Sequence, residues 1–375
     1  NKELNGSNTI NFFFKSNLAD RNINTNELFF TPVNATDSSV VMRLDFKKDG
    51  RYIDFEYTLK GNSQMLDLTI TAHNMNDVIS GNETSITWKQ FVRQLEPGYE
   101  FEQRFSSLTY KPANDDSDYL NEMTDREEKI EEPLKWLAYK NQFFSSIMIA
   151  GESFTNADVK SEVIQKGKGL LKRCTSTMQT AFDPTGAEPT KLQFYFGPNK
   201  FDVLKESNAL VLNNDNDPEL QEIIYFGWPI VRWINRYFIM PLFDILSGFG
   251  LNMGIVLILL TLIVKVIVYP FTKKSYVSSA KMRALKPYID KINAKYPKQE
   301  DALKKQQETM TLYQKYGASP MGGCLPMLIQ MPIFIALFNF VPNAIELRQQ
   351  SFLWANDLSS YDAILSWDAN IWPIG

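Results

Sequence analysis

Histidine occurs once in the 375-residue chain, at His73, and cysteine only twice, at Cys174 and Cys324. Two thiols in regions of different character exclude a disulfide framework, and no Cys/His spacing suits structural zinc. No Ser/Cys/Asp constellation can be assigned to His73, which reads as a strand-end or packing residue. The glycine-lysine signature of a P-loop is missing, so nucleotide hydrolysis has no motif to carry it. No catalytic residue, metal ligand or cofactor is therefore expected. A charged leader segment is also missing, but the chain starts at Asn1 and stops at Ile374-Gly375. It reads as a partial chain, so that last absence excludes nothing.

What is present divides unevenly. Residues 1–220 carry 24 Lys+Arg against 33 Asp+Glu, a net charge of −9, while residues 221–375 carry 15 against 10, a net of +5. The basic part holds the apolar runs, which suits a membrane protein better than a nucleic-acid binder. Its centre is Met253–Val268, almost wholly apolar and interrupted by one charge, Lys265. With its flanks this stretch reaches about 20 residues, enough for a helix to cross the hydrocarbon core. A lysine inside such a span costs about 2.5–3.5 kcal/mol unless it finds a polar cavity or reaches the interface.

The acidic part reads as strands. Val40, Met42, Leu44 and Phe46 alternate with polar neighbours, as do Ile53, Phe55, Tyr57 and Leu59, and then Leu66, Leu68, Ile70 and Ala72. Turns are expected at Lys48-Asp49-Gly50 and Gly61-Asn62. Further strands are expected over Ser85–Leu95, Phe101–Tyr110, Leu134–Tyr139, Gln142–Gly151, Leu171–Gln179 and Lys191–Phe196, which together suggest a large β-sandwich. The acidic run Asp115–Glu132 reads as a solvated loop with a helical turn near Asp125–Ile130. Trp88 and Trp136 read as sheet core. A short helix is expected at Lys200–Glu206, and Asn213–Pro218 reads as a polar linker.

Beyond the linker, Ile230, Trp233, Ile234, Tyr237, Phe238, Leu242 and Ile245 recur at helical spacing, with Arg232, Asn235, Arg236 and Asp244 mostly between them. Aromatic residues mixed with arginines suit a helix lying in the membrane interface. After Pro270, Lys273–Lys315 holds eleven Lys+Arg and four Asp+Glu, a net of +7. Positive charge beside a span marks the cytoplasmic side, so the hairpin is expected inside and the β-domain outside. The hairpin divides at Tyr296-Pro297-Lys298 into two helical halves. One carries a narrow stripe of Leu285, Tyr288, Ile289, Ile292 and Tyr296, and the other a stripe of Leu303, Met310 and Tyr313. A glycine-rich loop leads to a second span, Leu325–Ala344, with polar members Gln330, Asn339 and Asn343. Trp354, Trp367 and Trp372 fit a headgroup belt. The fold class expected is thus an α-helical membrane core plus a large all-β sandwich on the outer side and a cytoplasmic helical hairpin. The boundaries are 1–215 for the sandwich, 216–249 for linker and interfacial helix, 250–272 for the first span, 273–319 for the hairpin, 320–345 for the second span and 346–375 for a periplasmic segment.

A series of short motifs carries a likeness to a known family. In order they are Phe271-Thr272-Lys273, Lys281-Met282-Arg283, Pro287, Ser319-Pro320-Met321-Gly322-Gly323-Cys324-Leu325-Pro326, Ile329-Gln330-Met331-Pro332-Ile333-Phe334, Glu346-Leu347-Arg348, Trp354 and Asp357-Leu358-Ser359. This order resembles the YidC membrane protein insertases of the Oxa/Alb/YidC family, in their Gram-negative form with a large periplasmic domain. Weaker likeness reaches back through Trp136–Gly151 and Phe196-Gly197-Pro198. The resemblance implies an amino-terminal span, the sandwich, and a five-helix core; this chain would lack the first span and the last three core helices. It also implies a positively charged residue, usually arginine, in a hydrated groove. Here the matching position is Lys265, which keeps the charge but loses the planar fork.

Thr261 and Lys265 lie four residues apart and share a helix face. Gln330 could join them from the second span. The expected groove residues are therefore Lys265, Thr261 and Gln330, and the expected hairpin contacts are Lys273, Lys274, Lys281 and Arg283. Snorkelling is the competing account of Lys265, since Lys273 and the cytoplasmic edge lie about 12 Å further along a helix. By resemblance the function is insertion of nascent membrane proteins into the bacterial cell inner membrane without nucleotide. Its partners would be those substrates, membrane lipids, the Sec translocon and the ribosome. The alternative is a membrane-anchored periplasmic carbohydrate-binding or mutarotase-like protein, for which one histidine is too few.

Overall fold

The computed structural model describes residues 8–17, 22–46, 50–120, 123–212, 217–297, 301–317 and 325–361. It divides into a first unit of Asn1–Ile224 with Asn343–Ile345 and Ser360–Gly375, and a second of Tyr225–Pro342 with Glu346–Ser359.

In the first unit, alternating sequences build two antiparallel sheets. One runs β10 (Arg126–Ile130), β13 (Asn156–Val163), β14 (Leu170–Ala181), β7 (Glu83–Arg93), β1 (Thr9–Phe14) and β2 (Ile23–Asn24). The other runs β3 (Thr31–Ala35), β4 (Ser39–Asp45), β5 (Tyr52–Leu59), β6 (Met65–His73), β15 (Thr190–Pro198), β12 (Phe144–Phe154), β11 (Leu134–Lys140), β8 (Ser107–Pro112) and β9 (Asp118–Tyr119). One core lies between them. Phe12 of the first sheet meets Phe55 of the second with ring centroids 5.3 Å apart. Trp88 and Tyr139 meet at 4.0 Å, and the Tyr139 hydroxyl donates across the core to the Trp88 carbonyl at 2.8 Å. Burying these rings is the main stabilising term, about 1.5–3 kcal/mol for each large side chain.

The acidic run departs from its expected form. Arg126–Ile130 is an edge strand on β13, with four exposed charged residues before buried Ile130. Charges on an exposed edge discourage pairing with another chain, so a charge-rich segment can still be a strand. The expected strand from Phe101 begins instead with one helical turn, α1 (Tyr99–Gln103), before β8. The turn residues 47–49 lie outside the described residues.

After β15, α2 (Phe201–Ser207) and a 3-10 turn at Leu220–Ile223 form a strap on the nine-stranded sheet. Trp136 Nε1 donates to the Pro218 carbonyl at 2.7 Å, and buried Lys111 donates to both Glu219 and Glu222 at 2.7 Å. Burial alone would lower the Lys111 pKa, but the hydrogen bonds to Glu219 and Glu222 outweigh it and raise the value. The first segment of this unit consequently runs to Ile224, nine residues beyond the boundary expected at 215.

The second unit begins with α3 (Pro229–Ile234), a π turn (Asn235–Ile239) and α4 (Met240–Ser247). Its longest element, α5, runs unbroken from Met253 to Lys295, through Pro270 and Pro287. The expected division at 272 therefore falls inside one helix. Asn252 caps its start, accepting from Gly254 N at 2.9 Å. At 1.5 Å per residue α5 is about 65 Å long, twice the hydrocarbon thickness. Next comes α6 (Ala302–Lys315), antiparallel to the second half of α5: Lys295 meets Glu308 at 2.6 Å and Lys281 reaches the Tyr316 carbonyl at 3.3 Å. The last helix is α7 (Leu325–Phe340), followed by a 3-10 turn.

Candidate functional site

One described helix, α5, is long and apolar enough to cross a membrane, and only 28% of its most apolar window is buried. Val256, Leu260, Val264 and Val268 recur every four residues and form its buried stripe. Outside that stripe Ile258, Leu262, Val266, Ile267 and Tyr269 are exposed, with Val266 at 70%. Water would penalise a contiguous apolar surface of this size, so lipid or another protein must cover it.

Thr261 and Lys265 lie one residue past Leu260 and Val264, hence about 100° round from the buried stripe, and both are exposed. The Thr261 hydroxyl donates back to the Leu257 carbonyl at 2.8 Å. Among the described residues no hydrogen bond or ion pair engages the Lys265 ammonium. Gln330 is half-buried on α7, and no described hydrogen bond links it to Thr261 or Lys265. The helix thus brings two of the three expected groove residues together, and the third stands apart in hydrogen bonding.

A polar node that the sequence reading missed lies elsewhere in this unit. Asn235, 0% exposed, and Asn339 of α7 both donate to the Phe226 carbonyl, at 3.4 and 3.3 Å. Gly227 has φ +91, and a Cβ there would lie 2.6 Å from Asn339 Nδ2. The left-handed backbone and the missing side chain together admit both amides. The available signal was Gly227 between Phe226 and Trp228-Pro229, an aromatic stretch with no other reason for glycine.

The helix pair α3–α4 reverses the usual amphipathic logic. Its buried side includes Val231, Asn235, Ile239 and Phe243, whereas Ile230, Trp233, Tyr237 and Ile245 are exposed. The apolar stripe legible in the sequence is therefore largely the outward one.

In the hairpin, Lys273, Lys274 and Arg283 are exposed. Lys281 donates to the Tyr316 and Gly317 carbonyls at 3.3 and 3.2 Å, neutralising the carboxyl end of α6. Glu308 accepts from Lys295 and from the Tyr296 hydroxyl, and these bonds hold its pKa below the usual carboxylate range. Leu285 is buried, but the stripe expected on the second half is not: Leu303 and Met310 are exposed, Tyr313 is half-buried, and α6 holds no buried residue. Trp354 is exposed, while Trp367, Trp372 and the loop 318–324 lie outside the described residues.

The sandwich presents no nucleophile or base in a reactive setting among its described residues. His73 stacks on Tyr52 at 4.2 Å, and its neighbour Asp54 is engaged bidentately by Arg43. Burial pushes the Cys174 thiol up to about 11, which keeps it protonated and inert. No group of three or more candidate metal ligands occurs among the described residues.

Comparison with known proteins agrees along the whole chain. Residues 4–241 match the family model of the YidC periplasmic domain, and residues 245–374 match that of the 60Kd inner membrane protein. The membrane protein insertase YidC of Phocaeicola vulgatus is 58% identical over 368 residues, covering 98% of this chain and 59% of that protein. The same-named protein of Bacteroides fragilis is 52% identical, covering 93% of this chain and 56% of its own length. That of Porphyromonas gingivalis is 39% identical, with 94% and 57% covered. The chain therefore spans less than two thirds of these curated relatives. Among solved structures, a bacterial glucoamylase shares 12% identity at a TM-score of 0.34, covering 57% of this chain and 30% of its own.

Proposed function

The chain belongs to the YidC family of membrane protein insertases, and from that premise we propose that it forms part of an insertase that moves nascent membrane proteins into the bacterial inner membrane. The observation that carries this reading is the unpartnered, exposed Lys265 ammonium on an apolar helix of membrane-spanning length. A cation at that depth persists only where water reaches it or where it reaches the interface. In a hydrated groove it attracts an acidic or polar segment of a nascent chain and shortens that segment's path through hydrocarbon. The substrate's apolar helix then partitions into lipid, driven by burial of apolar area. Thr261 adds polarity one turn away on the same face, and Gln330 contributes from α7 by side-chain reorientation. No nucleotide takes part in this scheme.

The β-sandwich lies in the periplasm, α3–α4 rests in the headgroup region and the α5–α6 hairpin is cytoplasmic, consistent with its net charge of +7. Lys273, Lys274 and Arg283 face anionic lipid or the ribosome, and Lys281 serves to close the hairpin. The Sec translocon is a further partner of the complete protein, which crosses the membrane several times. Lysine satisfies the role because attraction at a distance needs charge alone, whereas a bidentate grip would need arginine.

The test is insertion of a single-span substrate with an acidic translocated tail by the full-length protein. Lys265→Ala lowers insertion by about tenfold, the equivalent of roughly 1.4 kcal/mol, and Lys265→Arg retains it. Equal insertion by the alanine variant on every substrate would leave the snorkelling account.

A further inference from the structure

We propose that the turn Phe352–Ala355 is a wedge that enters the periplasmic lipid leaflet, with Leu353 among the upper acyl chains and Trp354 at the headgroups. The turn closes through two backbone hydrogen bonds, from Phe352 N to the Ala355 carbonyl at 2.9 Å and from Ala355 N to the Phe352 carbonyl at 3.0 Å. Its tip holds Leu353 and Trp354, which are 75% and 77% exposed. Leu353 has φ +53, a left-handed backbone that suits glycine or asparagine and is costly for a bulky side chain. A leucine held there with its side chain in the open indicates that the side chain itself has a task.

The mount is rigid. Asp357 organises its base, accepting from Gln349 N at 3.0 Å and from Ser359 N and Oγ at 2.8 Å. Leu358 N donates to the Gln350 carbonyl at 2.9 Å. The base is fixed in turn to the start of α5. Asn252, which caps that helix, donates from Nδ2 to the Ser351 carbonyl at 3.0 Å. The Phe352 ring fills the space beside Gly254, where any side chain would collide with it. The tip is therefore held at the level where the spanning helix begins, and Phe249 and Leu251 beside the same cap are exposed as well. Between Arg348 and Asp357 the chain carries no charged residue, only a polar base and an apolar tip. An uncharged turn of this kind, with a tryptophan, mounted on the end of a span, fits the boundary between headgroups and acyl chains. Water would penalise the tip, and lipid at that level covers it. The inference rests on the reading that α5 crosses the membrane, and it does not depend on any role of Lys265.

The test uses the full-length protein with its native cysteines replaced by serine, in nanodiscs of phosphatidylethanolamine and phosphatidylglycerol. The polarity-sensitive fluorophore NBD is attached at Trp354→Cys or, separately, at Leu353→Cys. We expect a lipid carrying a nitroxide at the top of its acyl chain to quench both labels several-fold more than iodide does, with the order reversed for a label at exposed Lys291→Cys. Adding Leu353→Asp to the Trp354→Cys protein shifts its label toward iodide several-fold, because a carboxylate at the tip is expelled from the acyl chains. Stronger quenching by iodide at both turn positions, which would leave the tip to water or to a protein partner, overturns the proposal. Indifference of the Trp354→Cys label to Leu353→Asp overturns it as well. Quenching reads depth and not insertion, so this result and that of Lys265→Ala can fail separately.

Discussion

At the scale of single residues, placement decides what a charge can do. Lys111 and Lys265 are the same side chain in opposite settings. Lys111 is buried between Glu219 and Glu222 and holds the strap that ends the sandwich. Removing it leaves two carboxylates facing one another at a partly buried site. Breaking a buried pair costs about 3–5 kcal/mol, and the 37% and 18% exposure of the two glutamates reduces this to about 2 kcal/mol. Lys111→Ala is therefore expected to lower the thermal midpoint of the sandwich by several degrees, while Lys111→Arg loses less. Because the folded pKa of Lys111 is raised, its contribution is whole below the unfolded value of about 10.4 and disappears as pH rises through the folded value. A wild-type midpoint in Lys111→Ala, or a pH dependence confined to acid, would contradict this account. Lys265 has no such partners among the described residues, and its setting is defined by the apolar surface around it.

At the scale of elements, helix and strand patterns were legible to different depths. Central strands such as β5 and β6 were readable because one face is buried and the side chains alternate in and out. The edge strand β10 was not, since its alternation is between charges and neither face demands an apolar residue. In α3–α4 the periodicity was visible, but its direction was not. A helical stripe gives a face and leaves open whether that face meets protein or lipid, and buried Asn235 supports the second arrangement. A boundary expected at 272 falls inside α5, which runs through Pro270 and Pro287, so the hairpin is an extension of the spanning helix. Since the two halves join through Lys281 and the Lys295–Glu308 pair, the hairpin should act as one body. Deleting residues 275–315 of the full-length protein is expected to impair insertion far more than replacing exposed Lys291 and Lys304 with glutamine, measured on the same single-span substrate. Near-normal insertion after the deletion would count against a working hairpin.

At the scale of the whole molecule, an acidic two-sheet sandwich and a basic helical unit follow in order along one chain, and the change of charge marks the change of surroundings. The geometry of the candidate membrane site was legible in part. Thr261 and Lys265 share a face by spacing alone, but Gln330 comes from a helix whose rotation no local pattern fixes. What separates a hydrated groove from a snorkelling lysine is whether water extends past Lys265 to the next turn. Thiol accessibility measures this directly, using Thr261→Cys and Lys265→Cys separately in a full-length protein whose native cysteines are replaced by serine, in inverted membrane vesicles with a membrane-impermeant maleimide. Our account predicts that both positions react, at rates within about tenfold of an exposed hairpin cysteine at Lys291→Cys. Labelling of Lys265→Cys with Thr261→Cys left untouched would contradict it.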